Sequence, residues 1–189
     1  MALWIRECGT CALEPAWDRE PMESLVRAVA HQQLHGKAAE SILRRLLDRF
    51  PNQPFPTALQ LSRMQIPSYR KCGFSQSKAE AIRSIARGVA AGIVQSRDTA
   101  EAMTDQALID LVTQLRGIGK WTVEMMLIFT LGRLDVMPMD DFGVRAGLMH
   151  LYALEGMPKK IDFAKYTEAW QPYRSIGAWY LWRLADARK

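Results

Sequence analysis

One short turn, Gly117-Ile118-Gly119, lies between two segments whose apolar residues recur at helical spacing, and it limits what this chain can fold into. Upstream, Leu108, Leu111, Val112 and Leu115 fall on one face at steps of three and four. Thr104 stands at the expected N-cap, and Asp105 follows in the first turn, where a carboxylate offsets the helix dipole. Downstream, an apolar segment runs from Trp121 to Leu131, and a loop carrying Asp135, Asp140 and Asp141 follows it. The order is helix, glycine hairpin, helix, acidic loop. Gly117 and Gly119 are expected to take positive φ and to expose the backbone without a Cβ in the way. The second helix begins at about Lys120, so its first N–H groups have no intrahelical acceptor. With the Lys120 charge beside them they form an anion site that a nucleic-acid phosphate would fit. A plain αα-hairpin uses the same glycines, and Gly-x-Gly by itself does not separate the two possibilities.

The rest of the chain repeats the helical spacing. Residues 1–21 read as irregular, with Trp4 and Trp17 covering a core edge. Pro21 opens a helix over Met22–Gln33, with Met22, Leu25, Val26 and Val29 as its apolar stripe. Gln32-Gln33-Leu34-His35-Gly36 interrupts it with polar residues. Lys37–Phe50 resumes as a helix, with Ala38, Ala39, Ile42, Leu46 and Leu47 inward. A proline-rich turn at 51–56, a short helix over Thr57–Met64 and a loop over Pro67–Ser77 follow. Ser77 caps a helix to Ala91, with Gly92 as its stop, and a poorly ordered link leads to the central hairpin. Asp140 or Asp141 opens a helix to about Leu154, Asp162 caps another to Trp170, Pro172 breaks it, and Ser175–Ala185 is the last. No strand alternation is long enough to compete, so the expected class is all-α.

The chain has 189 residues, 49% of them hydrophobic, which suffices for a single domain with a proper core and room for two lobes. The net charge of +5 and the pI of about 9.3 suit a polyanionic partner. Cys8, Cys11 and Cys72 are an odd number at low density, which points to a reducing compartment. Cys8-Gly9-Thr10-Cys11 has neither a second pair nor a βαβ context, so its thiols read as incidental. No apolar run has the length to span a bilayer, and Arg6 and Glu7 interrupt the N-terminus where a leader would be apolar. The expected setting is the cytoplasm at the nucleoid, or the nucleus in a eukaryote, and the expected state is a monomer.

Three blocks carry a resemblance: Leu115-Arg116-Gly117-Ile118-Gly119-Lys120-Trp121-Thr122, Leu131-Gly132-Arg133-Leu134-Asp135-Val136, and Pro138-Met139-Asp140-Asp141-Phe142-Gly143-Val144-Arg145. Together they resemble the helix-hairpin-helix superfamily of DNA glycosylases, in particular the 3-methyladenine DNA glycosylase II group. The likeness extends to Gln32-Gln33-Leu34 upstream and to Trp170-Gln171-Pro172-Tyr173-Arg174-Ser175 downstream, and covers most of the chain from about Met22. It implies a two-lobed helical bundle with the active site in the cleft between the lobes. The expected lobes are 22–115 and 116–189, with 1–21 as an added segment. Larger relatives carry a β-rich N-terminal domain, so this chain is expected to be the compact form.

The resemblance implies a base-excising hydrolase acting on double-stranded DNA that contains damaged bases, and it places the essential aspartate at Asp141. From spacing alone Asp141 reads as an N-cap; beside the family pattern it becomes the catalytic carboxylate, with Asp140 as the helix cap and Asp135 closing the loop. Breaking an N-glycosidic bond develops positive charge on the sugar. A carboxylate beneath it can stabilise that charge and orient or deprotonate water. Lyase members carry a lysine two residues beyond the second glycine. Here Trp121 occupies that place and Lys120 precedes it, about 100° away around the helix. A monofunctional enzyme is therefore expected, with a bifunctional lyase for oxidised bases and a non-enzymatic hairpin DNA-binding module as the alternatives.

A flipped base needs stacking surfaces, for which Trp121, Trp182, Phe142 and Met125 are the pocket candidates, with Trp179 a further aromatic. Alkylated purines carry positive charge and stack well on indole, which gives selectivity for bases of the 3-methyladenine and 7-methylguanine type. Gly117, Gly119 and Lys120 are the expected phosphate contacts. Gln33 or Leu34 would fill the gap left by the flipped nucleotide, with His35 and Lys37, and also Arg70, Lys71 and Lys78, as candidates to meet the backbone. No catalytic metal is expected. The family's iron–sulfur cluster needs four cysteines near the C-terminus, and none follows Cys72. The resemblance allows one alkali cation, sodium or potassium, on the hairpin carbonyls of Leu115 and Gly117.

Overall fold

Proline and serine starts, glycine stops and apolar stripes make helices wherever they recur. In a computed structural model that describes residues 1–34 and 36–188, the helices are α1 (Ala2–Cys8), α2 (Pro21–His31), α3 (Gly36–Leu47), α4 (Ala58–Arg63), α5 (Ile66–Cys72), α6 (Gln76–Ala90), α7 (Arg97–Ala102), α8 (Asp105–Val112), α9 (Lys120–Phe129), α10 (Phe142–Leu151), α11 (Phe163–Thr167) and α12 (Arg174–Ala187). Single 3-10 turns, Lys160–Asp162 and Glu168–Trp170, flank α11. The all-α expectation holds, and among the described residues there is no strand. No described helix is long and apolar enough to cross a membrane. The chain divides into two units, Ala16–Met126 and Met1–Pro15 with Leu127–Lys189. The division falls within α9, later than the expected 115/116 boundary, and residues 1–15 go with the C-terminal unit.

In the unit Ala16–Met126, Pro21 begins α2, where its missing N–H leaves no helical bond unmade. Leu25, Val26 and Val29 are fully buried. Helix α6 packs against α2, α4 and α5. On α3 the inward residues are Ala39, Ile42, Leu43 and Leu46; Ala38, expected inward, is exposed, one helical step off that face. The expected loop 67–77 is instead largely α5, with Pro67 in its first turn and Gly73 ending it at φ 103. Tyr69 is wholly buried there and donates its hydroxyl to the Leu61 carbonyl at 2.8 Å, and that burial pushes the phenol well above its usual range. The cap of α6 is Ser75, not Ser77: its Oγ accepts from the Lys78 N–H at 3.2 Å. The link expected to be poorly ordered contains α7, where Arg97 donates to the carbonyls of Ala16 and Arg19 at 3.0 and 2.8 Å.

In the other unit, α10 and α12 pack face to face around Met137, Val144, Leu148, Phe163, Ala178 and Leu181. Gly147 makes this possible, since a Cβ there would overlap the backbone of Leu181. The N-terminus is helical rather than irregular, because α1 has a partner: Trp4 Nε1 donates to the Tyr180 carbonyl and Tyr180 Oη to the Gly9 carbonyl, both at 2.9 Å. Trp17, expected on a core edge, is 63% exposed. The helix expected from Asp162 to Trp170 is split, and the Asp162 carboxylate accepts from the Lys159 N–H at 3.2 Å.

Candidate active site

The acidic loop is tied down before it reaches α10. Ser175, fully buried at the start of α12, donates to the Arg133 carbonyl at 2.6 Å and accepts from the Val136 N–H at 2.9 Å. Asp135 is gripped by Arg174, whose Nε and Nη2 lie 2.7 and 3.0 Å from its two oxygens. Those side-chain hydrogen bonds hold its carboxyl below the usual carboxylate range. Asp135 is thus the structural closure that its place in the loop suggested.

Asp141 is the N-cap of α10. Its Oδ1 accepts from the Val144 N–H at 2.8 Å and from Trp182 Nε1 at 2.7 Å. The cap expected at Asp140 is therefore made by Asp141, and Asp140 instead pairs with Lys160 at 2.5 Å on the surface. Asp141, which the family pattern marks as the expected catalytic carboxylate, is thus the N-cap that spacing alone suggested. Gly143 allows the arrangement: a Cβ there would sit 2.7 Å from Trp182 Cδ1 and 3.2 Å from Asp141 Oδ1. Trp182 stacks on Phe129, with centroids 5.4 Å apart and planes at 29°. Its indole is thus fixed by a face and an edge, and the edge grips the carboxylate. Phe142, the next residue, is 72% exposed. Trp179 packs edge-on against Tyr180 at 4.9 Å, with Arg183 over its ring at 5.8 Å.

In the unit Ala16–Met126 the hairpin leaves α8, which Thr104 caps through the Ala107 N–H as expected. Leu115 and Ile118 are buried, and the Ile118 N–H donates to the Leu115 carbonyl at 3.1 Å. Gly117 takes φ 81 and lies so close to α6 that a Cβ would meet Ala81 Cβ at 2.8 Å. Gly119 does not take positive φ and has open space around it, so only the first glycine is required by conformation. The Gly119 carbonyl accepts the Thr122 N–H at 3.0 Å, and α9 begins there. Lys120 is exposed, with its ammonium 3.4 Å from the carboxylate of Glu124, a buried acid one turn on. Trp121 is half-buried and Met125 buried, on one face of α9 at i and i+4. The four pocket candidates thus divide two and two, Trp121 and Met125 in this unit and Phe142 and Trp182 in the other.

Past α2, Gln33 is exposed and takes φ 54, a left-handed conformation unusual for a non-glycine residue. Leu34 is 40% exposed and Lys37 is exposed, while His35 lies outside the described residues. Lys78, expected among the backbone-contacting cations, is half-buried, and its ammonium donates to the carbonyls of Ala30 and Gln32 at 2.9 and 2.7 Å. Burial lowers its pKa. Glu124 and Gly143 carry no functional assignment from the sequence, and Gln32 enters there only as part of the probing loop. For Glu124 a signal existed, one acid inside the apolar run from Trp121 to Leu131; for the others the partner is distant in sequence. Among the described residues no group of three or more His, Cys, Asp or Glu side chains could hold a metal ion.

Residues 26–172 match the family model described as "HhH-GPD superfamily base excision DNA repair protein". DNA-3-methyladenine glycosylase 1 of Schizosaccharomyces pombe is 44% identical over 174 residues, 90% of this chain and 76% of that protein. The alkylbase DNA glycosidase-like protein mag2 of the same yeast is 33% identical over 181 residues, 95% of this chain and 85% of that one. Among solved structures, the S. pombe 3-methyladenine DNA glycosylase in complex with abasic DNA superposes with a TM-score of 0.90 at 40% identity, covering 96% of this chain and 89% of that one. A DNA-3-methyladenine glycosidase from Bacillus halodurans superposes at 0.81 with 31% identity, covering 100% and 86%. With the family model matched over most of its length and an all-helical fold that superposes on these glycosylases, this chain belongs to the HhH-GPD superfamily of base excision DNA repair proteins.

Proposed function

We infer that this protein is a monofunctional DNA glycosylase that removes alkylated purines, of the 3-methyladenine and 7-methylguanine type, from double-stranded DNA in base excision repair. The observation that carries this is the Asp141 carboxylate, held by two N–H donors at the N-terminus of α10, in a chain 44% identical to a protein named DNA-3-methyladenine glycosylase. The base departs with the C1′–N bonding pair, and the sugar becomes oxocarbenium-like. Asp141 stabilises that charge electrostatically and orients the water whose oxygen bonds to C1′. The water's proton leaves to the carboxylate or to solvent, and an abasic site and a free base result.

With Trp121 where a lyase would carry its lysine, water is the nucleophile and no Schiff base forms. Trp121, Met125, Phe142 and Trp182 supply the surfaces for the extruded base, Gln33 or Leu34 fills the gap in the duplex, and Gly117, Gly119, Lys120 and Lys37 meet the backbone. The hydrolysis needs no redox cofactor. An alkali cation on the hairpin would use the Leu115 and Gly117 carbonyls. Each retains acceptor capacity beyond its present donors, the Ile118 N–H at 3.1 Å and the Gln32 amide at 3.5 Å. The protein would work as a monomer wherever DNA is held, the nucleoid or the nucleus.

The test is release of free bases from alkylated duplex DNA, measured beside Asp141→Asn. Release by the native chain and its loss in the variant are expected. Tight DNA binding with no release by either would favour a non-enzymatic hairpin module, and trapping of protein on DNA by borohydride would favour a lyase.

A further inference from the structure

Lys78 and Gln32 are used by neither the chemistry nor the phosphate contacts, yet each makes an interaction that a surface residue does not. The Lys78 ammonium reaches back from the first turn of α6 to the last carbonyls of α2, at 2.9 Å from Ala30 O and 2.7 Å from Gln32 O. Carbonyls at a helix C-terminus lack intrahelical donors and carry the negative end of the dipole, so a cation there satisfies both. The side chain of the same Gln32 turns to the hairpin: its Nε2 donates to Thr122 Oγ1 at 3.0 Å and lies 3.5 Å from the Gly117 carbonyl. The residue that follows, Gln33, is held at φ 54, and Leu34 is tied back through its N–H to the His31 carbonyl at 3.2 Å. One backbone position, Gln32, is thus gripped from α6 on one side and anchored to the phosphate-binding turn on the other. All of these residues lie in the unit Ala16–Met126.

We propose that Lys78 and Gln32 are positioning residues that lock the probing turn Gln33-Leu34 to the hairpin, so that strand capture by the hairpin delivers the wedge to the damaged base pair in fixed register. The proposal rests on Gln33-Leu34 being the wedge. Lys78 acts through the Gln32 carbonyl and Gln32 through Thr122, and neither touches the DNA. The ammonium's shared grip on two carbonyls explains why a half-buried lysine is kept here: a neutral side chain would leave both acceptors unsatisfied.

The experiment uses the full chain, an alkylated duplex and a second duplex carrying 2-aminopurine beside an abasic analogue, whose fluorescence rises when the neighbouring stack is broken. Lys78→Met and Gln32→Met are each expected to lower the single-turnover rate of base release and the insertion signal by about 10- to 100-fold, since a misplacement of about 1 Å by a distant change can cost up to about 10²-fold. Affinity for undamaged duplex, set by phosphate contacts, should stay within about twofold. The double variant should be no worse than the poorer single one, because both break one chain of contacts. Lys78→Arg, which can still donate to both carbonyls, should recover most of the signal. A role in stability alone would lower the melting temperature without changing insertion in the folded fraction; that result overturns the proposal, as do multiplicative losses in the double variant. Gln32→Met keeps the test open should Lys78→Met not fold. Leu34→Ala and Gln33→Ala separate the two ideas: if neither changes insertion, the wedge assignment fails; if either abolishes it while Lys78→Met does not, the lock fails.

Discussion

Asp141 caps α10 and is proposed to carry the chemistry, and two substitutions separate these roles. Asparagine keeps an amide oxygen where Oδ1 stands, and one carbonyl oxygen can accept both the Val144 N–H and the Trp182 N–H. Asparagine is also as good an N-cap as aspartate. What Asp141→Asn removes is the charge, which at a helix N-terminus contributes about 0.3–1 kcal/mol. Asp141→Ala removes the acceptor as well. It loses the cap, about 1 kcal/mol, and a hydrogen bond to a charged group, about 1.5–3 kcal/mol, so its cost is about 3 kcal/mol. For a chain of this size that lowers the melting temperature by about 6–12 °C, against about 3 °C for the asparagine variant. In the chemistry the ranking disappears. Both variants lack the carboxylate and should lose about 10²–10³ in the rate of base release, the size of effect seen when one preorganised electrostatic group is deleted. Single-turnover base release and calorimetry on both proteins decide the matter. Base release by Asp141→Asn within about threefold of the native chain would refute the electrostatic role, since a loss of at least 10² is required. Equal melting temperatures for the two variants would refute the capping role.

The hairpin glycines should differ sharply. Gly117→Ala has positive φ and a 2.8 Å approach to Ala81 against it and should cost about 1–3 kcal/mol in urea unfolding, whereas Gly119→Ala, with open space and ordinary φ, should cost about 0.5 kcal/mol or less. The Asp135–Arg174 pair makes a pH prediction. Its depressed folded-state pKa contributes stability that is complete above the unfolded carboxylate value, about 3.9, and is lost as pH falls through the lower folded value. The melting-temperature gap between the native chain and Asp135→Asn should therefore hold from neutral pH to about 5 and close below about 4; a gap that does not change with pH would count against the ion pair. Duplex affinity should fall steeply with salt, and Lys120→Ala should reduce the log–log slope by about 1; an unchanged slope would remove Lys120 from the phosphate contacts.

The hairpin was legible because everything that makes it is local. Thr104 caps through a residue three positions on, the apolar stripe of α8 repeats within one helix, and Gly117 marks its own left-handed turn. The short helices α1, α5 and α7 were not legible, since each is held by something far away: Trp4 by the Tyr180 carbonyl, Tyr69 by burial against α4, Arg97 by the carbonyls of Ala16 and Arg19. Pro67 was misread for a different reason. A proline in a first helical turn and a proline in a loop look alike until the residues after it are seen to be buried. The anchoring of Gln32 stayed hidden because its partner Thr122 is 90 positions away.

The adjacent aspartates differ in geometry in a way that bears on which of them is suited to the proposed catalytic role. Asp140 points to solvent, and its charge is matched by Lys160, so it could neither hold a fixed position nor present an uncompensated charge to a sugar. Asp141 is held by the backbone of α10 on one side and the indole of Trp182 on the other. A charge that must stabilise a short-lived cation has to be in place before the bond breaks, because reorganising during the reaction would forfeit much of the effect. An N-cap aspartate meets that condition by construction: the helix it begins fixes one oxygen. Gly143 then admits the tryptophan edge that fixes the same oxygen a second time. Under the proposed role, capping is how this carboxylate is preorganised, and a variant that shifts the start of α10 without touching Asp141 should slow base release as well.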